Sequence, residues 1–454
     1  LTLTTGVNNT IMGYTALGNA TTNVDDNVAI GYFAMGGAIV AEAVEDCVAI
    51  GSSALSGALD STNGIDEASG TVAIGKSALA SLTSGDGNVA VGFEALSTVT
   101  DGAKMTAVGY QAFKDVANTG GGADGDGVAI GYLAGSEAAA VDGATYVGGR
   151  SGTTILGGYN TAVGSRTLYD TDAGSSSKAS AGNTVLGYFA MGGTWTNVTI
   201  DNCVAIGRNA LDAGLAHADV SGTVAIGRSA LGALTTGDGN TAIGYQSQDA
   251  NTTSGKCTSV GYDSLGAVTT GGASAGNTAV GHSAGLGITD GLYNTIIGWT
   301  AGDTSNVTGA VYVGQAAGST GTGDYCIFIG MGAGDHGDNT QNGTIGIGYQ
   351  SLDALTSGAG NTAVGYQAGL LATTGANNVF IGYGAADATH VDASGNVAIG
   401  LNGFGGSHNA SNACHYNIGM GQNALSGALN GVSGAVAIGK DALNALTSGA
   451  GNTA

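Results

Sequence analysis

The stretch closest to a catalytic motif is "GHSAG" at 281–285, which matches the G-x-S-x-G nucleophile elbow with Ser283 as nucleophile. An elbow needs a strand-to-helix turn, and a His and an acid brought to the serine by the fold. Ser283 instead falls in a column that the chain writes elsewhere as "GYQAG", "GYLAG" and "GWTAG". No acid, base or nucleophile cluster departs from that recurring pattern, so the expectation is a protein that is not an enzyme and has no cofactor. The Asp-Gly turns "SGDGN" (84–88), "TGDGN" (236–240) and "GGGADGDG" (120–127) offer oxygen ligands of the kind Ca²⁺ takes. They lack a full ligand set at fixed spacing, and Asp-Gly and Gly-Asn are ordinary turn chemistry. Calcium is the one metal left in view. The six His (His217, His282, His336, His390, His408, His415) show no paired ligand spacing and read as surface or loop residues. Cys47, Cys203, Cys257 and Cys326 occupy one repeat column in non-neighbouring units, which predicts small buried thiols rather than disulfides within the chain. Cys414 stands apart in a longer segment.

Whatever positions these residues must be built from the repeat. The chain has 454 residues, 87 Gly, no Pro, 43% hydrophobic residues and 9% charged residues. Disordered chains are poor in Val and Ile and rich in Pro, so this one can bury a core, with a backbone that turns often. The net charge of −23, with 10 Lys plus Arg, gives no electrostatic footprint for nucleic acid and disfavours anionic membranes. No apolar run approaches the length of a membrane helix. The sequence opens on "LTLTTGVNNT" and stops at "GAGNTA", both inside the repeat, so a longer natural fibre is expected.

Aligned on the Gly of the "AIG" core, from Gly13 to Gly439, the motif recurs 24 times, mostly every 16–18 residues and up to 24. A fixed period of this size signals a solenoid. All units carry Val, Thr or Ile three residues before the Gly and an apolar residue one before it, mostly with Ala between. That alternation is a short strand with one face buried, and the expectation is that the Val and Ile columns point inward. The fold class expected is all-β, a parallel β-solenoid of the left-handed β-roll type, with about 24 coils of 16–24 residues. Residues 1–454 form one continuous solenoid with no separate globular domain. At about 4.8 Å per coil its length is on the order of 115 Å.

Four residues before the Gly, half of the units carry Asn, including Asn27, Asn88, Asn160, Asn240, Asn294 and Asn361. Stacked coils align these into a structural ladder of hydrogen-bonded amides, and Asn also tolerates left-handed turns. The residue after the Gly is Tyr in 10 units, and Lys76, Arg208, Arg228 and Lys440 share that column, which must therefore be partly exposed. Tyr146, Tyr312, Phe328 and Phe380 replace the small Ala inside the strand and so, on this reading, point outward. Outward aromatics on a soluble rod need a cover, which makes these four the candidate oligomer contacts. Blocks of about eight coils are themselves duplicated: "YFAMGG" at 32–37 returns at 188–193. Polar insertions at 56–70, 114–127, 168–182 and 405–416 are the expected sites of recognition.

"NVAIGYFAM", "CVAIGRNAL" and "TVAIGKSAL" resemble the YadA-like head repeats of trimeric autotransporter adhesins, and "NTAVGYQAG" is similar to repeats of bacteriophage tail and virion fibres. The first resemblance implies a left-handed β-roll with three chains side by side. The expected protein is thus structural and fibre-forming, extracellular, on a cell surface or virion, serving attachment or surface extension. It is a homo-oligomer, a trimer within a longer filament, with a surface receptor of unknown identity, no nucleic acid and no membrane insertion. An ice- or carbohydrate-binding solenoid is the alternative of another class, resting on the Thr that fill ten of the positions three before the Gly.

Overall fold

The computed structural model describes residues 6–20, 24–40, 44–60, 68–116, 125–170, 179–195, 199–213, 220–269, 275–321, 323–336, 342–388, 392–406 and 413–454. The polar insertions singled out above, and His217, His390 and His408, lie wholly or partly outside these residues. The chain is all-β with no helix among the described residues, and it is a parallel β-solenoid. Two compact units divide it, Leu1–Gly239 and Asn240–Ala454.

In the first unit Thr10–Met12 pairs with Val28–Ile30, and Val28–Ile30 with Val48–Ile50; the series ends with Val204–Ile206 on Val224–Ile226, all parallel. In the second it runs from Thr241–Ile243 on Thr258–Val260 to Ile418–Met420 on Val436–Ile438. Register is column on column: Val28 faces Val48, Ala29 faces Ala49, Ile30 faces Ile50. The opening coils of the first unit are wider and add two small parallel sheets, one of Asn19–Ala20, Ala38–Val40 and Leu59–Asp60 and one of Val24–Asp25 and Val44–Glu45.

The strand faces are the reverse of the expectation. Ala29, Ala49 and Ala73 are fully buried, while their Val and Ile neighbours are only half-buried or exposed. Ala225 is buried between a half-buried Val224 and Ile226. The reason is volume. Across from each strand, in the same coil, the chain doubles back through a turn whose Ala and Leu point inward, as Ala54 with Leu55 and Ala78 with Leu79 do, each fully buried. In most coils the lumen between strand and turn takes a methyl group from the strand, and larger residues such as Val185 and Ile296 fill it in a minority. Strand side chains alternate with period two, so an inward Ala carries the Asn two residues before it to the same inner face. Val and Ile are left outside.

Two backbone devices make the coil close. The repeat Gly has positive φ throughout, +138° at Gly31 and +142° at Gly244. A Cβ there would sit 2.5 Å from the carbonyl oxygen of Gly51 and 2.1 Å from that of Gly261, the repeat Gly of the next coil in each case. No other residue fits. Beyond the Gly, the second and fourth residues adopt left-handed φ even when they are not glycine, as in Ser53 (+56°) with Leu55 (+47°). Such backbone is uncommon for residues with a Cβ; here the burial of the Leu side chain and ladder bonds such as Leu55 N–H to Ala78 O (2.9 Å) hold it in place.

Candidate functional site

The surface that the inverted strand leaves behind is the candidate site. Its two columns, three before and one before the repeat Gly, contain no charged residue in a chain with 33 acids. Successive coils present Val204 with Ile206 and Val224 with Ile226 in the first unit, and Thr278 with Val280 and Thr295 with Ile297 in the second. Ile130, Ile297 and Ile381 are about two-fifths exposed, at 41%, 39% and 39%. Each unit therefore carries a flat, uncharged, largely aliphatic strip.

The aromatic column borders that strip. Tyr14 stacks on Tyr32 (5.5 Å between ring centroids), Phe93 on Tyr110 (5.1 Å) and Tyr110 on Tyr132 (5.5 Å) in the first unit. Tyr245 stacks on Tyr262 (5.0 Å), and Tyr349, Tyr366 and Tyr383 form a run at 5.1 and 4.7 Å in the second. Offset stacking at these distances is favourable for aromatic pairs. Ring faces within a run are covered by their neighbours, and Tyr14, Tyr32, Tyr110, Tyr132, Tyr262, Tyr366 and Tyr383 remain exposed overall. This column holds no acid at all, and its Lys76, Arg208, Arg228 and Lys440 are exposed.

The Asn column is internal. Asn27, Asn88, Asn160, Asn240, Asn294 and Asn361 are each at most 1% exposed. None of them has the left-handed backbone anticipated for Asn; in all six coils the residue just before carries it, as Asp26, Gly87, Tyr159, Gly239, Tyr293 and Gly360 do. The amide oxygen accepts the backbone N–H of the same column in the next coil: Cys47 N to Asn27 Oδ1 (2.9 Å), Met105 N to Asn88 Oδ1 (3.0 Å), Cys257 N to Asn240 Oδ1 (3.0 Å). The amide nitrogen donates to a carbonyl, as from Asn27 to Val44 O (2.8 Å). Where Asn follows Asn, the side chains also bond each other: Asn183 Nδ2 to Asn160 Oδ1 (3.0 Å), Asn294 to Asn277 (3.0 Å), Asn378 to Asn361 (3.0 Å). Each amide is thus satisfied in a dry interior, which is the condition for burying it.

Tyr146, Tyr312 and Phe328 are fully buried and Phe380 is 1% exposed, so they are not surface contacts. They stand on the inward strand column, and glycine makes their room. A Cβ on Gly152 would lie 2.6 Å from the Tyr146 ring, one on Gly318 2.6 Å from Tyr312, and one on Gly369 2.8 Å from Phe380. Three of these glycines hold the turn position that Leu55 and Leu79 fill elsewhere: Gly152 and Gly318 in the same coil as their ring, Gly369 in the coil before Phe380. Burial raises the Tyr312 hydroxyl well above its ordinary pKa.

The elbow-like serine has a histidine beside it: Ser283 Oγ lies 3.0 Å from His282 Nδ1. The His282 ring stacks on Tyr262 (4.8 Å), and among the described residues no carboxylate hydrogen-bonds it. All five cysteines are buried and free, Cys414 included. Burial pushes the Cys47 thiol up to about 11. Among the described residues one group of three potential ligands comes together, Asp335, His336 and Asp353, with His336 Nδ1 2.9 Å from Asp353 and 3.6 Å from Asp335. None of its members belongs to the Gly-rich turns that suggested calcium. Its separated sequence positions, one coil apart, hid it from a search for paired spacing. No protein-family model and no curated protein matches the chain. The geometry alone therefore bears on function, and its main feature is the uncharged strip with its aromatic border.

Proposed function

We propose that the chain is a structural, fibre-forming protein of a cell or virion surface, whose copies lie side by side with their outward strand faces together and which serves attachment or surface extension. The observation that carries this reading is the strip itself: two partly exposed columns free of charge, Val, Thr or Ile in one and an aliphatic residue or Met in the other, in every coil of a −23 chain. Contiguous apolar surface of this kind on a soluble protein marks an interaction site, and closed cyclic symmetry gives every copy the same cover. Three copies around one axis is the arrangement we favour. Static light scattering tests it. A mass of three chains is expected, and a stable monodisperse monomer would sink the reading.

A second reading has support from one feature. Thr241, Thr258, Thr278 and Thr295 occupy one outward column in successive coils, each in register with the next. Regular hydroxyls beside regular aliphatic groups suit a partner that is itself a lattice, such as ice. Thermal hysteresis of the native protein, absent from a variant with Thr258→Lys and Thr278→Lys, is the outcome this reading requires.

A further inference from the structure

The chain has four arginines, Arg150, Arg166, Arg208 and Arg228, and all four stand on one corner of five successive coils in the first unit. They occupy the first or second position after the repeat glycines Gly148, Gly164, Gly207 and Gly227, and the intervening coil puts Tyr188 there. Backbone bonds stack this corner in register: Arg166 N–H to Gly149 O (3.0 Å), Phe189 to Ser165 (3.1 Å), Asn209 to Tyr188 (3.1 Å) and Ser229 to Arg208 (3.0 Å). Four strand spacings span about 19 Å. The two corner columns of these five coils hold no acid, although acids outnumber bases 33 to 10 in the chain. Arg166, Arg208, Arg228 and Tyr188 are exposed. Three guanidiniums lie against rings: Arg150 over Tyr132 (5.9 Å), Arg166 over Tyr169 (5.9 Å) and Arg208 over Tyr188 (6.0 Å). Ring contact of this kind restrains a guanidinium while its planar fork of donors stays available to a carboxylate or sulfate.

From this geometry we infer that the arginine corner is a binding track for an acidic polysaccharide, a linear glycan bearing carboxylates or sulfates. The inference names the attachment partner of the surface protein proposed above and rests on that reading. A row on a rigid edge fits a linear polymer better than a compact ligand. Charge spacing separates the candidates. Duplex nucleic acid carries about one charge per 1.7 Å, denser than a row with at most one guanidinium per coil of about 4.8 Å. A glycan spaces its charges more widely, and between them needs hydroxyl and amide partners. Ser165, Asn209 and Ser229 hold the corner positions beside the arginines, and the exposed hydroxyl-bearing Tyr188 sits at the centre of the row.

The test uses the full chain with alginate and dextran sulfate as probes and neutral dextran, poly-glutamate and duplex DNA as competitors. Native protein is expected to bind at least one of the two anionic glycans, more weakly as salt rises. The variant R150Q/R166Q/R208Q/R228Q should lose at least tenfold in affinity, whereas K76Q/K440Q should not. Gln already occupies the left-handed second position at Gln111 and Gln367 and the first position at Gln315 and Gln422, so the coil accepts it at both. An unchanged melting temperature and scattering mass confirm that the variant folds and assembles. Absence of binding to both glycans, equal binding by the four-arginine variant, or displacement by poly-glutamate or DNA as effective as by free glycan overturns the inference. A native trimer that ignores both glycans defeats this inference alone; a monomer that binds them through the arginines defeats the assembly reading alone.

Discussion

Phe328 and Gly334 share one space: a Cβ on Gly334 would come within 2.7 Å of the Phe328 ring. The same ring reaches the next coil, where a Cβ on Gly346 would meet it at 2.9 Å. Phe328→Ala empties a fully buried site and should cost about 3–5 kcal/mol. Gly334→Leu should also destabilise, by overpacking. Together they recreate the Ala-and-Leu coil found elsewhere, and the pair should recover about 1–3 kcal/mol relative to the sum of the single changes. Denaturant melts of the four proteins give that coupling, and strict additivity would contradict the shared space.

Ala225 and Ile226 are chain neighbours on opposite faces. Ala225→Asp puts a charge in a dry core and should cost several kcal/mol. Ile226→Asp alters a half-buried outward side chain, so the melting temperature of the isolated chain should change little while the scattering mass falls toward one chain. Equal destabilisation by the two substitutions would show that the faces have been assigned wrongly.

Asn378 is the second of four in the longest amide run among the described residues, Asn361, Asn378, Asn396 and Asn417. It donates to Asn361 Oδ1 (3.0 Å) and Ala393 O (2.8 Å), and accepts from the backbone of Asn396 (2.9 Å) and from its side chain (3.2 Å). Asn378→Asp keeps the shape, removes both donors and sets a carboxylate against two carbonyl-like oxygens. A loss of about 2 kcal/mol or more is expected at neutral pH, and it should shrink in acid, where the carboxyl regains a donor. A pH-independent loss would mean that shape rather than hydrogen bonding accounts for Asn here.

Acid should stabilise this protein. Asp212, Asp249, Asp303, Asp353 and Asp387 are each raised above the ordinary 3.8, chiefly by burial. His336 is raised above 6.5, chiefly by its hydrogen bond to Asp353. In every case the native chain holds protons that the unfolded chain has released, so stability falls as pH rises through the native values. The carboxylates act above 3.8 and His336 above 6.5. The melting temperature should decline as pH rises above 3.8 and decline further above 6.5, and His336→Gln should flatten the second part of that decline. A melting temperature that climbs over this range would refute the assignment.

Period, strand position and the closing glycine were all legible, because each is set by local backbone geometry repeated without change. Direction was not. Both strand faces are apolar, so hydropathy alone could not say whether Val28 and Ile30 or Ala29 lies inside. Parity could have: Asn27 shares a face with Ala29, and a column of Asn that recurs through the chain belongs where a ladder can satisfy it. Gly318 after Tyr312 and Gly334 after Phe328 carry the same message, since a large ring that coincides with a missing side chain six residues later is packing into the gap. The arginine corner was countable in the sequence, yet only stacking shows that residues as far apart as Arg150 and Arg228 share an edge.

The ladder also determines how such a unit responds to load. Its inter-coil bonds, Gly31 N to Met12 O and Val28 N to Cys47 O among them, run along the direction of stacking. A pull along that direction opens them coil after coil rather than shearing a whole sheet at once. Freeing the coil between Asn240 and Cys257, 17 residues apart, pays out up to roughly 58 Å of extended chain where about 4.8 Å of stacked length stood. Pulled at its ends, a unit lengthens in steps at low force, so that a tether built from it absorbs a jolt by unspooling before the grip at either end is tested.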